Sequence, residues 1–174
     1  MRVITVVVLI ALSISLWAKP GGDQLYSVVR TEEAPRIDGV LDDAPWQNAA
    51  VATDFVQRSP DPMQPAHQRT EVRVLYDNSA VYVAARMFDT SGDSVAMQLS
   101  RRDEYPNCDW FIVGFDTYNN DINAFMFGVY ATGVQWDAIH RDGWDDDTWN
   151  AVWESEVSIV EDGWIAEFKI PYSA

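Results

Sequence analysis

The chain has 174 residues, with 12 Lys and Arg against 27 Asp and Glu and a formal net charge of −15. That length suits one domain with a real hydrophobic core, and a composition 48% hydrophobic and 13% aromatic excludes disorder as the main state. A pI near 4.2 excludes nucleic acid as a partner, since phosphates are repelled and no basic patch exists to release counterions; it suits an exported protein, a neutral ligand such as a sugar, or a hard cation.

In chain order, residues 1–18 read as a secretory signal peptide. Arg2 precedes an apolar run from Val3 to Leu16, and Ala18 stands ahead of Lys19-Pro20-Gly21-Gly22. As a helix that run spans roughly 20 Å, short of the ~30 Å hydrocarbon core, which disfavours the alternative of an uncleaved anchor. No cysteine follows it, which excludes a lipoprotein. Export places the protein in the periplasm, at the outer membrane or outside the cell. Residues 19–29 read as an N-terminal arm and 30–174 as the domain. One helical turn is expected after Asp42 or Asp43 as N-cap, with Pro45 in its first turn and Trp46 pointing back to the body. Arg58 to Gln68, with Pro60, Pro62 and Pro65, reads as an extended crossover.

From Thr70 onward, apolar residues alternate with period two, which predicts strands. Thr70–Tyr76 and Ala80–Phe88 flank the turn Asp77-Asn78-Ser79 and form a hairpin. Asp109 to Asp116 alternates Phe111, Val113 and Phe115 against Trp110, Ile112 and Gly114. Turns at Tyr118–Asp121 and Thr132-Gly133 then bound strands over 122–131 and 134–140. Val152–Val160 and Trp164–Ile170 form a last hairpin across Glu161-Asp162-Gly163. Many short strands at regular spacing predict an all-β, antiparallel β-sandwich.

No phosphate loop, nucleophile elbow or His-Glu metal helix is present. A glycosidase needs two carboxylates across a cleft, and the acids Glu154, Glu156 and Glu167 stand at strand positions that read as solvated faces. The chain is therefore read as non-catalytic. Cys108, the single cysteine, excludes an intrachain disulfide or thiolate cluster. It reads as an inert small residue, and His67 and His140 as surface residues. The loop 141–147 is the best metal candidate: Asp142, Asp145 and Asp147 around Gly143 offer the oxygen ligands calcium takes. The alternative there is a solvated acidic turn. No cofactor is required by any motif.

The aromatic residues are the most informative class, because sugars stack their C–H faces on exposed aromatic planes. With Phe111, Val113 and Phe115 facing the core, Trp110 lies on the opposite face. Tyr130 and Trp136 share that surface by adjacency, with Trp144 overhead on the loop. The competing reading packs them all into a core. Trp46, Trp149, Trp153 and Trp164 read as structural.

Several segments together resemble the family 9 carbohydrate-binding module. Arg36-Ile37-Asp38-Gly39-Val40-Leu41-Asp42-Asp43-Ala44-Pro45-Trp46 is similar to its opening, and Thr70–Asp77 with Val81-Tyr82-Val83-Ala84 to its next hairpin. Asp109–Asp116 resembles its central strand, and Trp149–Trp153 with Asp162–Pro171 its closing segments. More narrowly, Arg101-Arg102-Asp103, Asp116-Thr117-Tyr118 and Gly133–Asp137 resemble a subgroup that precedes a long β-rich, barrel-like region in large bacterial envelope proteins.

The resemblance implies a jelly-roll-like sandwich that binds carbohydrate without cleaving it. Such modules are attached to xylanases and other glycan-degrading enzymes, and some bind calcium. Better-studied members hold a sugar between two tryptophans, one three residues before the first Asp of the central strand. That position here is Pro106, with Tyr105 beside it as the replacement plate, and the second plate would come from beyond Ala174. The sandwich is accordingly expected to be incomplete at its C-terminus, with an unpaired edge beside Trp164–Ile170. The leading expectation is a secreted module of a larger polysaccharide-processing or envelope protein, binding polysaccharide or oligosaccharide of the plant cell-wall type, with a covalently linked downstream domain. The alternative is a structural or interaction domain ahead of an outer-membrane barrel, without sugar binding.

Overall fold

The protein is described by a computed structural model over residues 26–90 and 95–174. The expected signal peptide and most of the expected N-terminal arm lie outside the described residues. The elements in chain order are β1 (Val29–Arg30), α1 (Ala44–Asn48), β2 (Thr70–Tyr76), β3 (Ala80–Phe88) and β4 (Trp110–Phe115). There follow β5 (Asn123–Tyr130), β6 (Gln135–Arg141), β7 (Trp144–Asp146), β8 (Glu154–Val160) and β9 (Gly163–Pro171). They form a five-stranded sheet in the order β1-β2-β3-β9-β8 and a four-stranded sheet in the order β4-β5-β6-β7. All pairings are antiparallel except β1 with β2. This is the predicted β-sandwich. Two short strands, β1 and β7, were not expected, because two and three residues carry too little alternation to read.

The β2–β3 turn is locked by Asp77, whose carboxylate accepts from the Ser79 amide (2.6 Å), the Ser79 hydroxyl (2.8 Å), the Ala80 amide (2.9 Å) and the Tyr82 hydroxyl (2.9 Å). Burial opposes ionisation of Asp77, but these four donors outweigh it and hold the acid at about 2. The expected crossover at 58–68 is instead a folded-back excursion. Val56 bridges Pro65, and Gln57 both donates from its amide to the Gln64 carbonyl and receives the Met63 amide. Backbone groups left unpaired by three prolines are satisfied locally in this way.

Strand alternation gives each sheet an inner and an outer face. The inner faces supply Val72, Val74, Val83, Ala85, Val113, Phe127, Val129, Trp153, Trp164, Ala166 and Phe168, the main core between the sheets. The outer face of the five-stranded sheet presents Leu75, Ala80, Tyr82 and Ala84, and Trp46 of α1 packs onto it with Ile37 and Leu41. Pro45 stands in the first turn of α1, as expected, and Asp43 is the N-cap residue. Its side chain does not cap the helix, however. It turns away to accept from the Arg36 amide at 2.7 Å and the Arg36 guanidinium at 3.0 Å.

This N-terminal cover corrects the reading of Glu167 as solvated. Glu167 is fully buried. Its carboxylate accepts from the Trp46 indole (2.7 Å), the Gly39 amide (2.5 Å) and the Asp38 amide (3.0 Å). Alternation places it on the outer face correctly, and the Asp38–Trp46 segment then closes over that face. Glu154 and Glu156 are exposed as expected. A second correction concerns the edge: β9 lies between β3 and β8 and is paired along both sides. The unpaired edge expected beside Trp164–Ile170 is therefore absent, because β3 takes the side of β9 that the β8–β9 hairpin leaves open.

Candidate functional site

The outer face of the four-stranded sheet is built by the alternate residues of β4, β5 and β6. Cross-strand register pairs Trp110 with Tyr130 and Gly128 with Trp136. Gly128 leaves the room its neighbour needs, since a Cβ there would meet Trp136 Cε3 and Ile112 Cγ1, each at 3.2 Å. Tyr130, Trp136 and Ala138 form a buried cluster on this face, flanked by Cys108, Ile112, Met126 and Val134. Trp110 lies parallel to Tyr130, with ring centroids 5.3 Å apart and planes within 4°. Its edge meets Trp136 at 5.6 Å and 73°.

The segment 101–108 folds over one end of this cluster and brings Tyr105 against it, at 6.4 Å from Trp110 and 6.3 Å from Trp136. Three hydrogen bonds set the geometry. The Tyr130 hydroxyl donates to the Glu104 carbonyl (2.8 Å), the Trp136 indole donates to the Tyr105 hydroxyl (3.3 Å), and that hydroxyl donates to Asp147 Oδ2 (3.1 Å). Burial, with the neighbouring Tyr105, Cys108 and Asp103, pushes the Tyr130 phenol up to about 12, so it remains a donor. Burial also raises Tyr105, and its hydrogen bond to Asp147 adds to that.

Under this segment lies a polar network that sequence reasoning missed. Asp137 is fully buried on the inner face of β6. It accepts from the Trp153 indole (2.9 Å) and the Ala151 amide (3.0 Å) and is ion-paired with Arg102, which also donates to Gln135 at 2.7 Å. Asp103 accepts from the Asp137 amide at 3.3 Å. Burial and the Asp137 charge raise the Asp103 acid. The adjacent Arg102-Asp103 pair thus ties the covering segment to β6. The signal available was the family-like Arg-Arg-Asp motif itself, whose partner across 35 positions no spacing rule supplies.

The five nominated aromatics separate into two places. Tyr105, Trp110, Tyr130 and Trp136 are together on the outer face; Tyr130 and Trp136 are buried, while Trp110 is 41% and Tyr105 62% exposed. Trp144 is not overhead of them. It pairs with Arg141 across the tight Asp142-Gly143 turn, where both residues have positive φ (47° and 81°). Paired residues share a face, and Arg141 follows Asp137 and Ile139 on the inner side. Trp144 therefore stands on the opposite face of the sheet, at its rim.

The same hairpin disperses the acids expected to bind calcium. Asp142 is at the turn, Asp145 faces the outer side and meets His140 Nδ1 at 2.6 Å, and Asp147 is taken by Tyr105. Asp146 instead accepts from the Thr148 hydroxyl at 2.6 Å. Among the described residues no group of three or more His, Cys, Asp or Glu is placed to hold a metal ion. Part of the candidate calcium loop is the strand β7 (Trp144–Asp146), and its carboxylates are taken up by separate partners: Asp145 by His140, Asp146 by Thr148 and Asp147 by Tyr105.

The fold agrees with the comparisons. The model of the family described as "Carbohydrate family 9 binding domain-like" matches residues 37–174. The chain belongs to that family. Among solved structures, a family 9 carbohydrate-binding module from Caldicellulosiruptor kristjanssonii in complex with glucose is similar at a TM-score of 0.57 and 15% identity, over 84% of this chain and 69% of that one. A family 9 module from the same organism in complex with cellotriose gives 0.56 and 16%, over 84% and 68%. At these identities the likeness speaks for the fold. None of the curated protein sequences matches this family 9 module.

Proposed function

We propose that this module binds neutral oligosaccharides of the plant cell-wall type, without cleaving them, through the outer face that carries Trp110 and Tyr105. The observation that carries this reading is Trp110: a tryptophan 41% exposed yet held by a parallel buried tyrosine and an edge-on buried tryptophan. A large aromatic plane fixed before any ligand arrives loses little conformational entropy on binding. Tyr105 offers the second plate, and its hydroxyl, committed to Asp147 and Trp136, keeps that plate in place. Net charge −15 favours neutral over acidic glycans. The relatives solved with glucose and cellotriose support the same ligand class. Residues 1–18 and the likeness to envelope proteins support export and linkage to a downstream region.

The test is titration calorimetry with glucose, cellotriose and xylotriose. Trp110→Ala is expected to weaken binding at least tenfold, about 1.4 kcal/mol, with the fold retained. Absence of binding to all three sugars by the unmodified protein would overturn the reading.

A further inference from the structure

Trp144, set apart from the aromatic cluster, stands beside a second group of unsatisfied binding chemistry. Register places Asn123, Arg141 and Trp144 in one row across β5, β6 and β7. Side chains directly opposite in such a row have Cβ atoms about 5 Å apart. The row lies one step beyond Phe125 and Ile139, at the rim of the inner face. A cavity of about 230 Å³ opens there, lined by Tyr118, Asn123, Ala124, Phe125, Ile139 and Arg141. That is smaller than the ~300–1,000 Å³ typical of drug-sized ligands, and suits a single ring. Tyr118 is 68% and Trp144 62% exposed.

The polar groups of this cavity have no partners to occupy them. Of the described basic side chains, Arg30, Arg36, Arg69, Arg73, Arg86, Arg102 and Lys169 are ion-paired, whereas Arg58, Arg101 and Arg141 are not; of these three only Arg141 lines a cavity with an aromatic neighbour in register. Among the described residues the Arg141 guanidinium makes neither an ion pair nor a hydrogen bond, although Asp142 follows it in sequence, and the Asn123 side-chain amide is likewise free. An arginine fork and an amide beside an aromatic plane match vicinal hydroxyls on the rim of a sugar ring whose C–H face stacks on that plane. The carboxylates of Asp142, Asp145 and Asp146 nearby disfavour an anionic sugar.

We propose that Trp144, Arg141, Asn123 and Tyr118 form a second, separate subsite for one neutral sugar ring, making the module bivalent. The proposal rests on the reading of this module as a sugar binder. Seven residue steps along β5 carry the chain from Asn123 to Tyr130, about 23 Å along the strand, and the two sites use opposite faces of the sheet. A trisaccharide engages them independently, whereas a polysaccharide surface engages both, and linked binding events multiply rather than add.

The experiment is a nitrogen-15 NMR titration of the full chain with cellotriose, following indole and amide resonances, alongside affinity electrophoresis in soluble xylan or hydroxyethylcellulose. The Trp144 indole and the amides of Asn123 and Arg141 are expected to shift saturably, as a set with its own dissociation constant. In Trp110→Ala that set should persist while shifts around Tyr105 and Tyr130 disappear. Trp144→Ala and Arg141→Ala should each abolish the second set, leave the first, and reduce retardation by the polymer about tenfold or more. Both side chains are exposed, and an unchanged melting temperature checks the fold. Shifts confined to the Trp110 face, with unchanged retardation of both variants, would overturn the second subsite while leaving the proposed function intact. No shift at either place would overturn both.

Discussion

The two outer faces of this sandwich start from the same pattern and end differently. On the five-stranded sheet, a tryptophan from outside the sheet, Trp46, is driven onto the strands until it is fully buried, and its indole is fastened to Glu167. On the four-stranded sheet the tryptophans belong to the strands themselves, and the covering segment at 101–108 reaches far enough to bury Tyr130 and Trp136 but leaves Trp110 and Tyr105 part-exposed. A face becomes core where a separate segment is hydrogen-bonded down over it. It remains available to a ligand where the cover stops short. The two fastenings also differ in charge: Glu167 is held by neutral donors alone among its hydrogen-bond partners, whereas Asp137 receives the Arg102 guanidinium as well as an indole and an amide.

Breaking the sealed face gives the largest expected effect. Trp46→Ala should cost ~3–5 kcal/mol by cavity formation and loss of the Glu167 bond, read as the urea midpoint, with sugar affinity unchanged wherever the variant is folded. Changed affinity would mean that the two faces are coupled. Glu167→Gln keeps the shape but replaces one acceptor oxygen with a donor, and should cost ~1–3 kcal/mol in the same assay.

The open face should respond in the opposite sense. Trp110→Ala removes a part-exposed ring and should cost ~1–2 kcal/mol of stability while causing the tenfold or greater loss of affinity already described. A variant that loses stability like Trp46→Ala would make Trp110 a core residue and the two faces alike.

The smallest effect is in pH dependence. Burial raises the Glu167 acid above its usual 4.5, against the pull of its three hydrogen bonds. The folded state then binds this proton before the unfolded state does, so Glu167 makes the protein more stable as pH falls from its folded value toward 4.5. Asp77 acts the other way: its contribution is full above 3.8 and is lost as pH falls to about 2. The difference in urea midpoint between the unmodified protein and Glu167→Ala should therefore widen as pH falls from 7 to 4.5, and a constant difference would remove Glu167 from the pH dependence. The Asp77→Asn variant should show a shallower loss of stability below pH 4. A wild-type-like acid limb in Asp77→Asn would remove the turn carboxylate from the account.

Much of the fold was legible because period-two alternation is a local signal. β2, β3, β5, β6, β8 and β9 begin and end within two residues of where alternation and turn chemistry put them, and Trp110 fell on the face opposite Phe111 for the same reason. Trp46 packs back onto the body as expected, but two inferences about what lies over a face failed. Glu167 was placed on the right side of its strand and in the wrong environment. Trp144 was assigned to a loop because three strand residues after a two-residue turn are too few to alternate visibly, and one step of register sends a side chain to the other face.

From the sequence alone came the strand periods, the turns at Asp77-Asn78-Ser79 and Glu161-Asp162-Gly163, the excess of acid, and the family-like motifs at both ends of the domain. These depend on neighbours in the chain, and a strand's alternation is readable wherever it lies. Only the tertiary structure decided that the first and last motifs meet at one carboxylate, that Arg102 reaches Asp137, and that the aromatics divide between an outer cluster and an inner rim. Those outcomes depend on which segment packs over which face and on the hydrogen bonds a buried carboxylate must collect, and both are contacts between residues far apart in the chain.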